Sequence, residues 1–286
     1  MRVAVTGAAG HLGSHLCPLL AERGHQLIRS DLADPPDAPG EFRKLDLTHP
    51  AQARAALEGA ELVVHCASIH PWKQYTDDQY LDCNLKGTWH VLAAAADLGI
   101  TRIVHTSSIA VYGDYGFPPY RWPVPEHQPP TDPADIYRVA KMTQEMMARR
   151  FVVSCGLRVA ALRPPAFMPK PDLDTGLALL GHFALVDDIA SGHAAAVEHF
   201  DELPNAFEPF NITNALPYTP DEGRQLLADP RPIMERHWPG AWDWFVARSR
   251  TPAPRPTVFD LSKAERLLAW RPTHNFGWWW EQHRGT

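Results

Sequence analysis

Short apolar runs, each followed by a stretch with helical spacing, recur through the first two-thirds of the 286-residue chain. The runs that predict strands are residues 2–6, 26–30, 41–45, 62–66, 103–106 and 156–162. The stretches that predict helices are residues 12–22, 51–57, 80–98 and 134–151. Continuous apolar strands that alternate with helices indicate βαβ units and a parallel sheet covered on both faces. Because such crossovers are right-handed, the expected fold class is α/β, a Rossmann-type doubly wound parallel sheet.

The pattern changes near residue 164, where a proline-rich extended segment begins. A further helix is predicted over residues 186–199, and from residue 216 the chain is rich in proline, tryptophan and arginine. We therefore expect residues 1–163 plus about 184–212 to form the main domain. Residues 164–183 plus 213–286 would form a small, discontinuous C-terminal cap. The run of tryptophans at 278–280 favours packing of a terminal helix over a membrane or partner surface.

Composition excludes several classes of function. The net charge is −6, so no basic field indicates nucleic acid or an anionic membrane as a partner. The first ten residues already resemble a strand and a turn, and no apolar run could span a bilayer, so we expect a cytoplasmic protein. The cysteines are scattered, which is typical of reduced core residues and predicts no metal site; they are Cys17, Cys66, Cys83 and Cys155.

The segment TGAAGHLG follows the first predicted strand and opens the first helix. Gly7 permits a tight turn, Gly10 lets a pyrophosphate approach the backbone, and Gly13 lets the helix pack closely on the strand. His11 and Leu12 complete the loop at the helix N-terminus, whose positive end favours a diphosphate. Since the loop lies within a βαβ unit, it predicts a dinucleotide site.

A carboxylate, Asp31, ends the second predicted strand. It can accept both hydroxyls of a ribose and would repel a 2′-phosphate, which favours NAD over NADP. Arg29 lies on the same strand face and leaves NADP open as the alternative. Asp46 and Leu47 follow the third strand, where they could hold adenine.

Tyr137 and Lys141 are four residues apart on a predicted helix and therefore share one face. Proton transfer near neutral pH needs a phenol below its usual pKa of about 10, and a neighbouring cation favours the phenolate. Ser108 follows the strand at 103–106, where it could donate to a developing alkoxide, while Ser107 is expected to point to the opposite side. Together with a dinucleotide, these residues predict hydride transfer at a carbinol carbon.

The chain resembles the extended short-chain dehydrogenase/reductase superfamily, specifically its NAD-dependent epimerase/dehydratase branch. The matching segments, in order along the chain, are TGAAGHLG, Asp31, Asp46-Leu47, HCAS (65–68), NLKGT (84–88), SSIAVYG (107–113), YRVAK (137–141), LRPP (162–165), VDDIA (186–190) and LLAWRP (267–272). The resemblance implies Ser108, Tyr137 and Lys141 as the catalytic set. It also implies a homodimer that packs the helices near residues 84–98 and 137–150 into a four-helix bundle.

The resemblance further implies which residues hold NAD. Those matched to the family motifs are Gly7, Gly10, Gly13, Asp31, Asp46, Leu47, Ala67 and Lys141. The full expected set also includes His11, Leu12, Ser68, Asn84, Tyr137, Pro164 and Phe167. Asn84 matches a helix residue that braces the site, and Pro164 and Phe167 match positions beside the nicotinamide.

One departure concerns the substrate. Only about 20 residues separate Pro165 from Val186, where nucleotide-sugar enzymes of the family hold a long insert. In this respect the chain is similar to uronate dehydrogenase and other short members that act on free sugars or sugar acids. The expected substrate contacts are Ile69, His70, Ser108, Ile109 and Tyr137, with Lys73 and Lys170 as weaker candidates.

The leading hypothesis is thus an NAD-dependent dehydrogenase acting at a secondary or anomeric carbinol of a sugar or sugar acid. A nucleotide-sugar 4-epimerase that retains NAD uses the same residues and stays open as the alternative. A third hypothesis, a non-catalytic NAD sensor, is disfavoured because the chain keeps both Tyr137 and Lys141.

Overall fold

Seven parallel strands form one sheet in a computed structural model that describes residues 1–35, 37–113 and 121–285. The strands are β1 (Arg2–Thr6), β2 (Gln26–Asp31), β3 (Glu41–Lys44), β4 (Leu62–His65), β5 (Arg102–Thr106), β6 (Arg158–Arg163) and β7 (Phe207–Asn211). Their order is β3-β2-β1-β4-β5-β6-β7, so the direction of winding reverses between β1 and β4. Ligands of such sheets bind in the crevice at this reversal, outside the carboxyl ends of the strands.

Twelve α-helices in the described part of the chain cover and flank this sheet. They are α1 (His11–Glu22), α2 (Pro50–Leu57), α3 (Asp77–Tyr80), α4 (Gly87–Asp97), α5 (Ile136–Cys155), α6 (Asp172–Leu179), α7 (Val186–Glu198), α8 (Pro220–Ala228), α9 (Arg231–His237), α10 (Ala241–Ala247), α11 (Ser262–Leu268) and α12 (Phe276–His283). Helices α1 and α7 bury their apolar sides on one face of the sheet, and α2, α4 and α5 do so on the other. The doubly wound Rossmann-type fold is confirmed.

Two local features differ from the prediction. The helix expected over 80–98 is divided, because a π-helical turn, Leu81–Lys86, separates α3 from α4. Strand β7 was not predicted, since Glu208 and Pro209 interrupt its apolar run. A proline is tolerated there because β7 lies at the edge of the sheet and pairs only with β6.

A third apolar cluster lies in the C-terminal part, where α6, α8, α9, α10 and α12 pack together. Trp279 and Trp280 are buried in it, whereas Trp278 is 40% exposed. The indole nitrogen of Trp279 donates to Asp172 at 2.9 Å, which joins α12 to α6. The predicted packing of the terminal helix is therefore confirmed for two of the three tryptophans. Within the described ranges, none of the helices combines the length and the hydrophobicity that a membrane span requires.

Candidate active site

Two adjoining cavities open at the carboxyl ends of the strands. The first has a volume of about 400 Å³ and runs from the glycine loop and the end of β2 to the segment after β6. The second, of about 170 Å³, lies beside the ends of β5 and β6 and the start of α5. The residues that line both are His70, Trp72, Thr106 and Phe167. The two cavities are therefore separated by shared side chains and adjoin each other.

The glycine loop forms one wall of the first cavity. Gly7 has φ +73°, and a Cβ on it would lie 2.7 Å from the backbone nitrogen of Ala67. A Cβ on Gly13 would lie 2.6 Å from the Cα of Ala8. Because both obstacles are backbone atoms, these positions need glycine. Helix α1 begins directly after Gly10 without a side-chain cap, so its first N–H groups remain available to an anion in the cavity.

Asp31 lies at the end of the first cavity that adjoins β2 and β3. Its carboxylate accepts a hydrogen bond from the backbone of Ala9 at 2.9 Å, which fixes it beside the loop. Arg29 is 4% exposed and donates to Asp34 at 2.8 Å and to the carbonyl of Gly40 at 3.1 Å. The guanidinium of Arg29 therefore already pairs with Asp34 and Gly40 and is not directed toward a 2′-phosphate.

Asp46 and Leu47 border the same end of the first cavity. The carboxylate of Asp46 accepts from the backbone and the hydroxyl of Thr48 at 2.9 and 2.7 Å, and these bonds hold the pKa of Asp46 below its ordinary value. Leu47 is buried against α4, where a Cβ on Gly87 would lie 2.7 Å from the Leu47 Cβ. An apolar wall and an ionised carboxylate therefore meet at this position.

Tyr137 and Lys141 come together at the wall of the second cavity. Tyr137 lines the second cavity, and the Nζ of Lys141 lies 5.9 Å from the centre of its ring. Lys141 is buried behind this ring and donates to the carbonyl oxygen of Thr106 at 3.0 Å. Burial lowers the pKa of Lys141 to about 8, because a charged ammonium is poorly solvated there.

Ser108 faces the second cavity from the end of β5. Its hydroxyl accepts from the backbone of Ala110 at 3.1 Å and lies 3.5 Å from the carbonyl oxygen of Pro164, a long contact that leaves its proton available. Ser107 also borders this cavity, but its hydroxyl donates to Glu145 at 2.7 Å. Of these two serines, Ser108 is therefore the one whose hydroxyl can donate a hydrogen bond to a ligand.

Asn84 lines neither cavity, in contrast to its expected contact with the cofactor. It is fully buried in the π-helical turn, and its amide donates to the carbonyl of Ile69 at 2.9 Å and accepts from the Ile69 backbone nitrogen at 2.8 Å. Both hydrogen-bonding ends of the side chain are used, so Asn84 positions the segment that carries Ile69 and His70. Bulges of this helix type are frequent at functional sites.

His70 lies where the two cavities meet. Its ring centre is 5.4 Å from that of Tyr137 and 6.2 Å from that of Trp72. Burial, followed by the positive charge of Lys141, lowers the pKa of His70 to about 3. The imidazole is therefore neutral near pH 7 and offers one donor and one acceptor.

The structure brings most of the predicted residues to the cavity walls. Those that line the first cavity are Gly7, Gly10, His11, Leu12, Gly13, Asp31, Asp46, Leu47, Ala67, Ser68, Ile69, His70 and Phe167. Those that line the second are His70, Ser108, Ile109, Tyr137, Pro164 and Phe167. Lys141 and Asn84 lie behind the walls, and Lys170 borders neither cavity.

Several lining residues were not predicted. Thr106 ends a predicted strand, and its place at the carboxyl edge of the sheet was a usable signal. Asp135, the N-cap of α5, and Arg138, in its first turn, lie on either side of Tyr137 in the sequence, but nothing in their spacing marks them. The described residues that line the two cavities all precede residue 169, and those that follow β6 lie within residues 164–168.

Comparison with known proteins agrees with this arrangement. A model of the "NAD dependent epimerase/dehydratase family" matches residues 3–170. Among curated relatives, the chain is 31% identical to sterol demethylase protein B of Methylococcus capsulatus over 215 residues, 73% of this chain and 61% of that protein. The chain thus spans about three fifths of the length of that relative.

Solved structures share the fold over almost the whole chain. A UDP-galactose 4-epimerase superposes with a TM-score of 0.73 at 22% identity, covering 99% of this chain and 97% of the other. The uronate dehydrogenase of Agrobacterium tumefaciens superposes with a TM-score of 0.70 at 23% identity, covering 100% and 89%. Both a dehydrogenase and an epimerase are thus similar in fold.

Proposed function

The chain belongs to the NAD dependent epimerase/dehydratase family, and from this premise we propose that it is a dehydrogenase acting at a secondary or anomeric carbinol of a sugar or sugar acid. The observation that carries the proposal is the placement of a buried ammonium, Lys141, 5.9 Å from the ring centre of Tyr137, which lines the second cavity. The larger cavity would take the cofactor and the smaller one the substrate.

The walls of the first cavity fit NAD. A glycine turn whose Cβ positions are closed by backbone would hold the diphosphate against the start of α1. Asp31 would accept the ribose hydroxyls, and Asp46 and Leu47 would border the adenine. Ala67, Ser68 and Phe167 would surround the other end, with Pro164 on the adjoining wall of the second cavity and Lys141 buried behind Tyr137. When bound, NAD supplies a carbon that accepts hydride from the substrate.

Tyr137 would take the proton of the substrate hydroxyl. The ammonium of Lys141, whose Nζ lies 5.9 Å from the centre of this ring, would favour the phenolate form, because an opposite charge stabilises the charged state. Ser108 would hold the substrate oxygen in line with the phenol, and donors aimed at a developing charge lower the barrier. Ile69, His70 and Ile109 would contact the rest of the substrate.

The direct test is Tyr137→Phe. Loss of the phenolic proton acceptor is expected to lower the rate of hydride transfer roughly 100- to 10,000-fold, with NAD affinity changed little. NAD affinity is measured by titration, and the rate is measured as NADH absorbance with a panel of sugars and sugar acids. An unchanged rate would overturn the proposed roles. Equal stabilisation by NAD in both proteins, with neither active on any substrate, would instead support a sensor.

A dehydrogenase and an epimerase that keeps NAD bound differ in what happens to the cofactor after hydride transfer. The volume of the second cavity, about 170 Å³, and the short segment before α7 favour the dehydrogenase, because an epimerase must turn its ketone over within the site. We expect the purified protein to exchange NAD freely and to accumulate NADH during turnover. Tightly retained NAD without net NADH would establish the epimerase instead.

We also propose a homodimer that buries one face of the π-helical turn, α4 and α5. Four large apolar side chains are exposed on these elements: Leu81, Trp89, Met146 and Val153. Such exposed apolar groups on neighbouring helices are typical of a protein–protein interface. Trp89→Glu is expected to convert a dimer to a monomer in light scattering, and a monomeric wild type would refute the proposal.

We further propose a cellular location and a division into two domains. The four free thiols are those of a reducing compartment, so we propose a cytoplasmic enzyme. The main domain would hold NAD with residues 1–163 plus about 184–212, and the cap would comprise residues 164–183 plus 213–286.

A further inference from the structure

His11 places an imidazole at the start of α1, on the wall of the first cavity. It is the first residue of the helix, and its N-cap, Gly10, brings no side chain to the N–H groups of the first turn. Since each Cα–Cβ bond of a helix tilts toward the N-terminus, the side chain of His11 leans toward the end at which these N–H groups lie. An anion bound there would meet the positive end of the helix and an imidazole together.

Two neighbouring rings hold this imidazole in place. It stacks on the phenyl ring of Phe167, with ring centres 6.1 Å apart and an angle of 19° between the ring planes. It also meets the ring of His15, one turn further along α1, edge to face at 5.1 Å. The Nδ1 of His15 donates to the carbonyl oxygen of His11 at 2.9 Å, which ties His15 to the same turn. The position of the imidazole is therefore set by packing on both sides.

The groups around His11 keep it mostly neutral near pH 7 in the free protein. Partial burial, and then the neighbouring His15, lower the pKa of His11 below its ordinary value of 6.5. A hydrogen bond with the backbone of Phe167 and the carboxylate of Asp187 at the start of α7 oppose this change without reversing it. Asp187 is itself largely exposed and lies 3.9 Å from the Nε2 of His15. Asp31 also lines the first cavity, but its carboxylate accepts a hydrogen bond from the backbone of the glycine loop at 2.9 Å.

A diphosphate at the start of α1 would change this balance. It brings negative charge to the end of the helix toward which the imidazole leans, and an opposite charge nearby raises the pKa of a histidine. The ordinary pKa of the imidazole is close to neutrality, so even a modest rise changes its charge within the physiological range.

We propose that His11 binds a proton together with the cofactor, so that its imidazolium pairs with the diphosphate and the affinity for NAD rises as the pH falls. This inference rests on the proposed function, because it concerns the NAD site of the same enzyme. Its sign follows from linkage: a histidine whose pKa is higher in the complex than in the free protein adds affinity at low pH. That added affinity is lost as the pH rises through the pKa of the complex.

Calorimetric titration of the intact protein with NAD, between about pH 5.5 and about pH 8, measures this linkage. We expect the Kd for NAD to be about three- to tenfold lower at the acid end, the effect of one partly exposed charge pair. Titrations in two buffers with different enthalpies of ionisation should show that the protein takes up protons when NAD binds. A Kd that does not change with pH, or a release of protons, overturns this inference and leaves the proposed dehydrogenase standing. Failure to bind NAD at any pH overturns both.

Two neutral variants identify the group that binds the proton. His11→Phe keeps a ring that can stack on Phe167 and removes the titratable group, whereas His11→Gln keeps a hydrogen-bond donor and removes the ring. Both are expected to bind NAD with a Kd that is nearly independent of pH and close to that of the wild type at about pH 8. Thermal unfolding without NAD checks that each variant is folded.

His15→Gln is the matched control. His15 lies one turn from His11 on the same helix but is not among the residues that line the two cavities, so this variant should keep the wild-type dependence on pH. A dependence that persists in both His11 variants, or one that disappears only with His15→Gln, would assign the proton to another group and refute the inference.

Discussion

The substitution Lys141→Met should raise the stability of the protein and abolish hydride transfer. Lys141 is fully buried, and its pKa is lowered from 10.5 to about 8 by burial. This difference corresponds to about 3 kcal/mol that opposes folding whenever the lysine is charged in both the folded and unfolded states. Methionine removes the charge and keeps an unbranched chain, at the loss of one hydrogen bond to Thr106 worth about 1 kcal/mol. We therefore expect the free energy of unfolding near pH 7 to rise by about 2 kcal/mol while hydride transfer is lost.

The stability difference between the variant and the wild type should change with pH in a defined direction. Between about pH 8 and 10.5 the folded lysine is neutral while the unfolded one still binds a proton, so the wild type gains stability as the pH rises. The variant lacks this gain, and its advantage should shrink toward pH 10.

Urea unfolding followed by circular dichroism at both pH values measures these differences. Lys44→Met, at an exposed position of β3, is the control and should change stability by less than about 0.5 kcal/mol. A Lys141→Met protein that is less stable than the wild type near pH 7, or whose advantage is the same at both pH values, would refute the reasoning.

Three further predictions follow from the described geometry. Gly13→Ala places a Cβ 2.6 Å from the Cα of Ala8, so the loop must shift; we expect the thermal stabilisation by NAD to disappear and about 1–3 kcal/mol of stability to be lost in urea unfolding. Asp31→Asn removes the charge that repels a 2′-phosphate, so the ratio of kcat/KM for NAD over NADP should fall about tenfold, and an unchanged ratio would mean that another group selects NAD. Burial lowers the pKa of His65 to about 3 and that of His105 well below its usual value, so both stay neutral in the fold while the unfolded chain binds protons below about pH 6.5. Stability is therefore lost as the pH falls from about 6.5, by roughly 1.4 kcal/mol per pH unit for each such histidine, and His105→Phe should reduce the slope of the urea midpoint against pH.

Sequence periodicity identified the central strands β1, β2, β4, β5 and β6, because burial under helices on both faces leaves a continuous apolar signal. Strand β7 escaped it, since an edge strand accepts Glu208 and Pro209 where a central strand would not. The π-helical turn escaped it as well, because the residues on either side keep helical spacing and the change of register is a tertiary effect.

Within the site, too, some contacts could be predicted from the sequence and others could not. The spacing of Tyr137 and Lys141 places both on one helical face, so their proximity could be derived from the sequence. The partner of Asn84 could not, because Ile69 lies 15 residues earlier in a loop with no regular pattern. The pairing of Asp135 with Arg138 at the wall of the second cavity likewise depends on how α5 begins.

The four side chains common to the two cavities, His70, Trp72, Thr106 and Phe167, also constrain the order of events. Because the two cavities share these walls, a molecule bound in the first cavity would form part of the wall of the second. The second reactant then binds well only after the first has arrived. Steady-state kinetics of the proposed dehydrogenase should accordingly be sequential and compulsory-order, with the dinucleotide entering first and leaving last.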